Sequence, residues 1–289
     1  MNGFCMSIQN NNMKNTTAIV ALSSFFIFSA CKKTEQTKPE NTTQTEQTAQ
    51  PEKFQVDSVK VDDSIKIGKF LSLRYTSKLL VFPGIKDQKL LDSIYLNNKE
   101  SRDFSKNGLQ AYLEKEKKQY FTSMEQDTKD FISDITNAQT WYTDSDMKLV
   151  SNTNDYMHIQ YSSNAYIGGA HDEYGYVERV FDLKNNRKVE LKDITAISKS
   201  KLEPILMKNI NKVPSGTTDE KGEVKNSEML LVDVIPVSNN FYFDDKNLYF
   251  HYSPYEITAF AAGDIIIPVS WEDLKGTLTP EFKERMKIK

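Results

Sequence analysis

The side chains in this sequence best suited to proton transfer or metal ligation are three histidines, His158, His171 and His251. None lie at the short spacings of a zinc site, and neither H-E-x-x-H nor G-x-S-x-G occurs. His171 closes the run Tyr166-Ile167-Gly168-Gly169-Ala170-His171. It fits a proton donor or ligand-binding residue, and it also fits a structural histidine with its hydrogen bonds satisfied. Gly168-Gly169 reads either as a ligand loop or as a turn needing positive φ. Asp144, Asp146, Asp172 and Glu173 could furnish an acid/base pair, but in a chain with 40 acidic residues such a list is unspecific. Tyr174-Gly175-Tyr176 and Phe241-Tyr242-Phe243 could stack on sugar rings, or could alternate between a core and cross-strand pairs. No catalytic residue, metal ligand or cofactor is assigned, and the reading is binding rather than chemistry.

The two cysteines, Cys5 and Cys31, both precede the region of globular composition, so disulfides and thiolate metal sites are excluded from it. Met13-Lys14-Asn15, an apolar stretch from Ala18 to Phe28, and Ser29-Ala30-Cys31 follow the order of a signal peptide, with Met13 as the true start. A stretch of eleven residues spans about 16 Å as a helix, half of a ~30 Å hydrocarbon core, which disfavours a permanent membrane span. Lys32 to Glu52 has no aromatic or branched aliphatic residue and reads as a disordered tether. With 37 basic and 40 acidic side chains interspersed, the chain lacks the basic excess that binding to nucleic acid needs.

Alternating apolar runs predict strands over Phe54–Pro83, Thr140–Val150, Tyr156–Tyr166, Tyr174–Asp182 and Val189–Leu191, with hairpin tips at Asn185-Asn186 and Asp244–Asn247. Apolar residues at spacings of three and four predict helices over Asp87–Leu96, Gly108–Ile135 and Lys199–Asn211. Ser253-Pro254-Tyr255-Glu256 reads as a capping box opening a helix that runs to Ala262 and stops at Gly263. An apolar strand follows over Asp264–Val269. Ser270/Asp273 and Thr279-Pro280 suggest two further capped helices. Strands and helices mixed without βαβ alternation predict an α+β fold with mostly antiparallel sheets and packed helices.

Phe28-Ser29-Ala30-Cys31 resembles the bacterial lipobox, with Phe28 where Leu is usual. That resemblance implies cleavage before Cys31, lipidation of Cys31 with acyl chains such as palmitate, and a membrane-anchored lipoprotein of the cell envelope. The periplasmic face of an outer membrane is favoured, and surface exposure remains open. Three further stretches together resemble the extracytoplasmic region shared by RsiV-type anti-sigma factors and the N-terminal part of PdaC-type polysaccharide deacetylases. They are Tyr166 to His171, Phe181-Asp182-Leu183 with Val189 to Ile194, and Phe241 to Tyr255 with Glu256-Ile257. The resemblance implies two associated α+β subdomains, 54–180 and 181–289, after a signal peptide (1–30) and tether (31–53). RsiV-type members bind host lysozyme with this region, whereas in deacetylase-type members it precedes a catalytic domain. The expectation for this chain is a non-catalytic binding domain recognising a lysozyme-like protein, with Tyr166, Gly168, Gly169, His171, Pro254 and Tyr255 as contact residues. Tyr255 fits a core-facing position equally well. The alternatives are a peptidoglycan- or glycan-binding accessory module and, third, a wall-modifying hydrolase.

Overall fold

A computed structural model describes residues 54–95 and 103–289. The export segment, Cys31 and the tether lie outside the described residues.

The chain enters the first sheet as a hairpin of β1 (Asp57–Ile67) and β2 (Leu71–Val81) in continuous antiparallel register from Asp57↔Val81 to Ile67↔Leu71. Two helices then cross over, α1 (Gln88–Ile94) and α2 (Lys106–Thr128). Asp87 caps α1 by accepting from the Leu90 amide (2.8 Å), and Ser105 caps α2 by accepting from the Gly108 amide (3.1 Å). A crossover of this length lets β3 (Gln139–Thr153) lie parallel to β2, from Leu71↔Gln139 to Lys78↔Asp146. β4 (Tyr156–Tyr166) returns through Asn154-Asp155, both left-handed (φ 52° and 57°), the geometry of a two-residue type I′ turn. β5 (Glu173–Asp182) and the short β6 (Arg187–Lys188) complete a six-stranded sheet in sequential order, antiparallel everywhere except β2–β3.

One face of this sheet is apolar. Val59, Val61, Leu71, Leu73, Trp141, Met147 and Met157 pack under Leu109, Leu113 and Phe121 of α2 and Leu90, Leu91 and Ile94 of α1. Burying each such aliphatic side chain contributes roughly 1.5–3 kcal/mol. Helix α2 stops at Thr128, short of the expected Ile135. The Thr128 hydroxyl bonds back to the Met124 carbonyl (2.7 Å), and a 3-10 turn over Ile132–Asp134 redirects the chain into β3.

A second core forms around a three-stranded antiparallel sheet. Its neighbours precede it in the chain: a single turn α3 (Leu191–Ile194), α4 (Lys199–Asn209), and a two-stranded hairpin of β7 (Thr218–Asp219) with β8 (Gly222–Glu223). The sheet itself contains β9 (Phe241–Phe243), β10 (Asn247–Tyr252) and β11 (Ile265–Ser270), in the order β11-β10-β9. Helix α5 (Pro280–Arg285) closes the chain, capped by Thr279 with Pro280 in its first turn. Leu202, Leu206, Phe241, Phe250, Ile257, Ile265, Ile267, Trp271 and Phe282 fill this core, together with Tyr156 and Val180 from the large sheet.

Three local expectations are corrected. Val189–Leu191 is not a strand: the Glu190 amide donates to the Asp193 carboxylate (2.7 Å), and this reciprocal cap starts α3 instead. Ser253–Ala262 is not a helix. The Ser253 amide does donate to Glu256 (2.8 Å), but the Ser253 hydroxyl is engaged by the Tyr176 amide of β5 (3.0 Å) and Tyr255 sits at φ 68°. Only a 3-10 turn over Phe260–Ala262 follows, ended by Gly263 at φ 69°. Ser270 and Asp273 do cap one another (2.8–3.4 Å), yet the segment continues as turns rather than a helix.

Candidate functional site: an exposed loop cluster on a buried hydrogen-bond network

The β4–β5 loop and the turn after β10 meet at one end of the large sheet. Gly168 adopts φ 90° directly against the Trp141 ring, where a Cβ would stand 3.1 Å from an indole carbon. The backbone is thus pressed onto a core side chain in a conformation that favours glycine. The Tyr166 hydroxyl donates to the Gly169 carbonyl (3.1 Å), and the Tyr142 hydroxyl beside it donates to the Asp172 carboxylate (3.3 Å). His171 Nδ1 lies 2.7 Å from the Asp172 carbonyl, an oxygen that only accepts, so Nδ1 carries the hydrogen. Nε2 of the same ring lies 3.3 Å from the Tyr255 hydroxyl. The His171 ring stacks on Phe260 (centroids 3.9 Å, 18°), which also packs against Tyr174 and Tyr255.

The structure therefore joins Gly169, His171 and Tyr255 in one cluster, with Tyr166 holding the loop. Pro254 is half-buried at the turn beside it. Tyr255 points outward, 59% exposed, and Ile167 at the loop tip is 60% exposed. Phe260 contributes as much ring contact as any of them, and sequence reading missed it because it was assigned to a helix. Asp144 and Asp146 lie on the open face of the large sheet. Glu173 is exposed, and His171 meets the backbone of Asp172 rather than its carboxylate.

Behind the cluster the other two histidines converge on one carboxylate. Alternation along β5 points Tyr174, Tyr176 and Glu178 away from the helices. Glu178 receives His158 Nε2 (2.6 Å), His251 Nδ1 (2.9 Å) and the Gln160 amide (2.7 Å). Its own amide donates to Asn240, whose side chain in turn donates to the carbonyls of Tyr176 and His251. The second nitrogen of His251 faces Asp264 at 3.1 Å, so both ring nitrogens meet carboxylate oxygens. Burial alone raises the Glu178 pKa, but the hydrogen bonds from His158, His251 and Gln160 outweigh it and bring the group down to about 2. Aromatic rings enclose the network. His158 stacks on Tyr242 (4.7 Å), Tyr242 on Tyr249 (4.8 Å), and Tyr176 on His251 (5.0 Å). Among the described residues no group of three or more His, Cys, Asp or Glu is arranged to hold a metal ion. Glu178, like Gln160 and Asn240, is a member that sequence reasoning overlooked. The available signal was a carboxylate at an inward position of a strand, two residues from Tyr176 and Val180.

Residues 188–272 match the family described as "Protein of unknown function (DUF3298)", so the chain carries a DUF3298 domain over the second core. No curated protein matches the chain. The crystal structure of a DUF3298 family member from Bacteroides fragilis is similar, with a TM-score of 0.61 and 22% identity, covering 82% of this chain and 98% of that one. A DUF3298 family protein from Pseudomonas aeruginosa gives a TM-score of 0.44 at 13% identity over 79% of this chain and 96% of that one. The first of these establishes a shared fold that extends well beyond residues 188–272.

Proposed function

We propose that the protein is a lipid-anchored envelope lipoprotein whose RsiV-like, non-catalytic domain recognises a lysozyme-like, wall-acting protein through the loop cluster. The observation that carries this reading is the meeting of Gly168–His171 with Pro254–Tyr255. These segments lie more than eighty residues apart in the chain, yet they form one exposed patch backed by a hydrogen-bonded network. Tyrosine and a projecting aliphatic side chain on a preorganised base are what a protein-binding hot spot needs. The signal-peptide pattern ending at Cys31 supports the anchor, with the periplasmic face of the outer membrane as its place.

Two measurements test it. The C31S variant is expected to lose metabolic palmitate labelling and to move from the membrane to the soluble fraction; retention in the membrane would remove the anchor from the proposal. For the partner, the unlipidated protein is titrated calorimetrically against c-type and i-type lysozymes, with lytic activity followed in parallel. Saturable binding with inhibition is expected. Tyr255→Ala should weaken it by roughly thirtyfold or more, as loss of a central aromatic anchor does. No complex at about 100 μM, a concentration that reveals even weak transient pairs, would overturn the partner assignment.

A further inference from the structure

The large sheet has a second face, and it is polar. Strand register aligns its outward side chains in two rows across five strands. One row runs Lys60, Lys78, Asp146, Ser162 and Tyr176; the other runs Asp62, Thr76, Asp144, Asn164 and Tyr174. With strands about 4.8 Å apart, each row is roughly 19 Å long. The rows floor a groove of ≈ 630 Å³, walled at one end by Tyr174, Tyr176 and Asp264. That volume falls within the range of about 300–1,000 Å³ typical of ligand sites.

We propose that this groove binds a neutral oligosaccharide laid across the strands, with Tyr176 as the stacking platform. Three features select that chemistry. The charged lining is balanced, two lysines against three aspartates, and Lys60 and Lys78 are already paired with Asp62 (2.8 Å) and Asp146 (3.0 Å). Among the described residues lining the groove, an anionic ligand would therefore find no unpaired cation. The floor instead interleaves hydroxyl, amide, carboxylate and ammonium groups at strand spacing, the mixture of donors and acceptors that a row of sugar hydroxyls can satisfy. Third, the Tyr176 ring is preorganised. It stacks on His251 (23°), which is itself held by Glu178 and Asp264, while Tyr174 meets it edge-on at 6.0 Å. A fixed aromatic face beside a hydrogen-bonding floor suits a pyranose, whose apolar C–H face stacks while its edge binds polar groups.

The test uses the C31S protein with two probes, the β-1,4-linked tetramer of N-acetylglucosamine and cellotetraose, and with inorganic phosphate as the anionic control. Saturable calorimetric binding of a tetrasaccharide is expected. Backbone amide shifts should be centred on Lys78, Asp146, Ser162, Tyr174 and Tyr176. Tyr176→Ala should weaken affinity by about tenfold, the scale of one aromatic stacking contact. Because Tyr176 also covers the buried network, Asp146→Ala serves as the second variant; its side chain is 44% exposed and outside both cores. It should weaken binding while leaving the unfolding midpoint unchanged. No saturation by either sugar at ~10 mM, beyond the usual range of specific sites, would overturn the proposal. So would shifts mapping elsewhere, indifference to Asp146→Ala, or phosphate occupying the groove in place of sugar. The lysozyme titration reads a different patch, so either result can fail without the other.

Discussion

Glu178→Ala is expected to destabilise the protein by about 3–5 kcal/mol, a large fraction of a typical total of about 5–15 kcal/mol. The variant strands three donors at once. His158 Nε2, His251 Nδ1 and the Gln160 amide all lose an acceptor in a site from which water is excluded. Glu178→Gln tests the charge separately from the volume, because its amide group must turn a donor toward one of those donors. It should cost about 1–3 kcal/mol by urea unfolding. The pH profile carries the sign. The folded-state pKa is depressed from 4.5 to about 2, so this stabilisation is fully present above pH 4.5 and is lost as pH falls through about 2. The difference is on the order of 3 kcal/mol. A wild-type minus Glu178→Gln difference curve should fall over that window. A flat curve, or a Gln variant within about 0.5 kcal/mol of wild type as at ordinary surface positions, would show that the network does not stabilise the fold.

This network also marks where reading the sequence stops. Alternation located β2, β4, β5 and β10, because a half-buried strand writes its burial pattern at period two. The helix over 106–128 was visible for the same reason at period 3.6. What alternation cannot say is which polar face will be covered. Glu178 lies 20 residues from His158 and 73 from His251, and it is buried because β9, β10 and Asn240 pack over β5. The parallel pairing of β2 with β3 was equally hidden, since the crossover helices decide it and the strands themselves do not. At Ser253–Glu256 only half of the expected capping box forms, and no helix follows it. The Ser253 amide does meet Glu256, but the Ser253 hydroxyl is claimed by Tyr176, and a tertiary partner thereby converts a helix start into a turn. Of the site, the Gly168–His171 and Pro254–Tyr255 segments were singled out by motif resemblance. Their meeting, and the part Phe260 plays in it, depend on that turn.

The second large effect is expected at Arg285, in the last turn of α5. A six-residue helix cannot hold itself, and α5 persists because Phe282 is buried in the second core while Arg285 reaches back to the large sheet. Its guanidinium pairs with Asp182 of β5 at 2.9 Å, lies 3.9 Å over the Tyr156 ring, and donates to the carbonyls of Asn154 (2.9 Å) and Asp155 (3.0 Å) in the β3–β4 turn. Both charged side chains are nearly buried, at 10% and 4% exposure, so this pair is far less screened than a surface ion pair. Arg285→Ala leaves Asp182 with only the Asn185 side chain and the loop amides, and should cost about 3–5 kcal/mol. Arg285→Lys should recover only part of that, because a point charge cannot serve a carboxylate and two carbonyls while stacking on a ring. The double variant with Asp182→Asn should show a coupling energy of about 1–3 kcal/mol. Burial raises the Asp182 pKa, but the hydrogen bonds from Asn185 and Arg285 more than offset it and leave the group depressed. The contribution is therefore present above the ordinary aspartate value of 3.8 and is lost as pH drops below it. Amide exchange gives the decisive reading. If Arg285 ties α5 to the β3–β4 turn, then Arg285→Ala must release protection in Tyr156 and in the amides of α5 together; loss confined to α5 would mean that Phe282 alone holds the helix and that the turn stands without it.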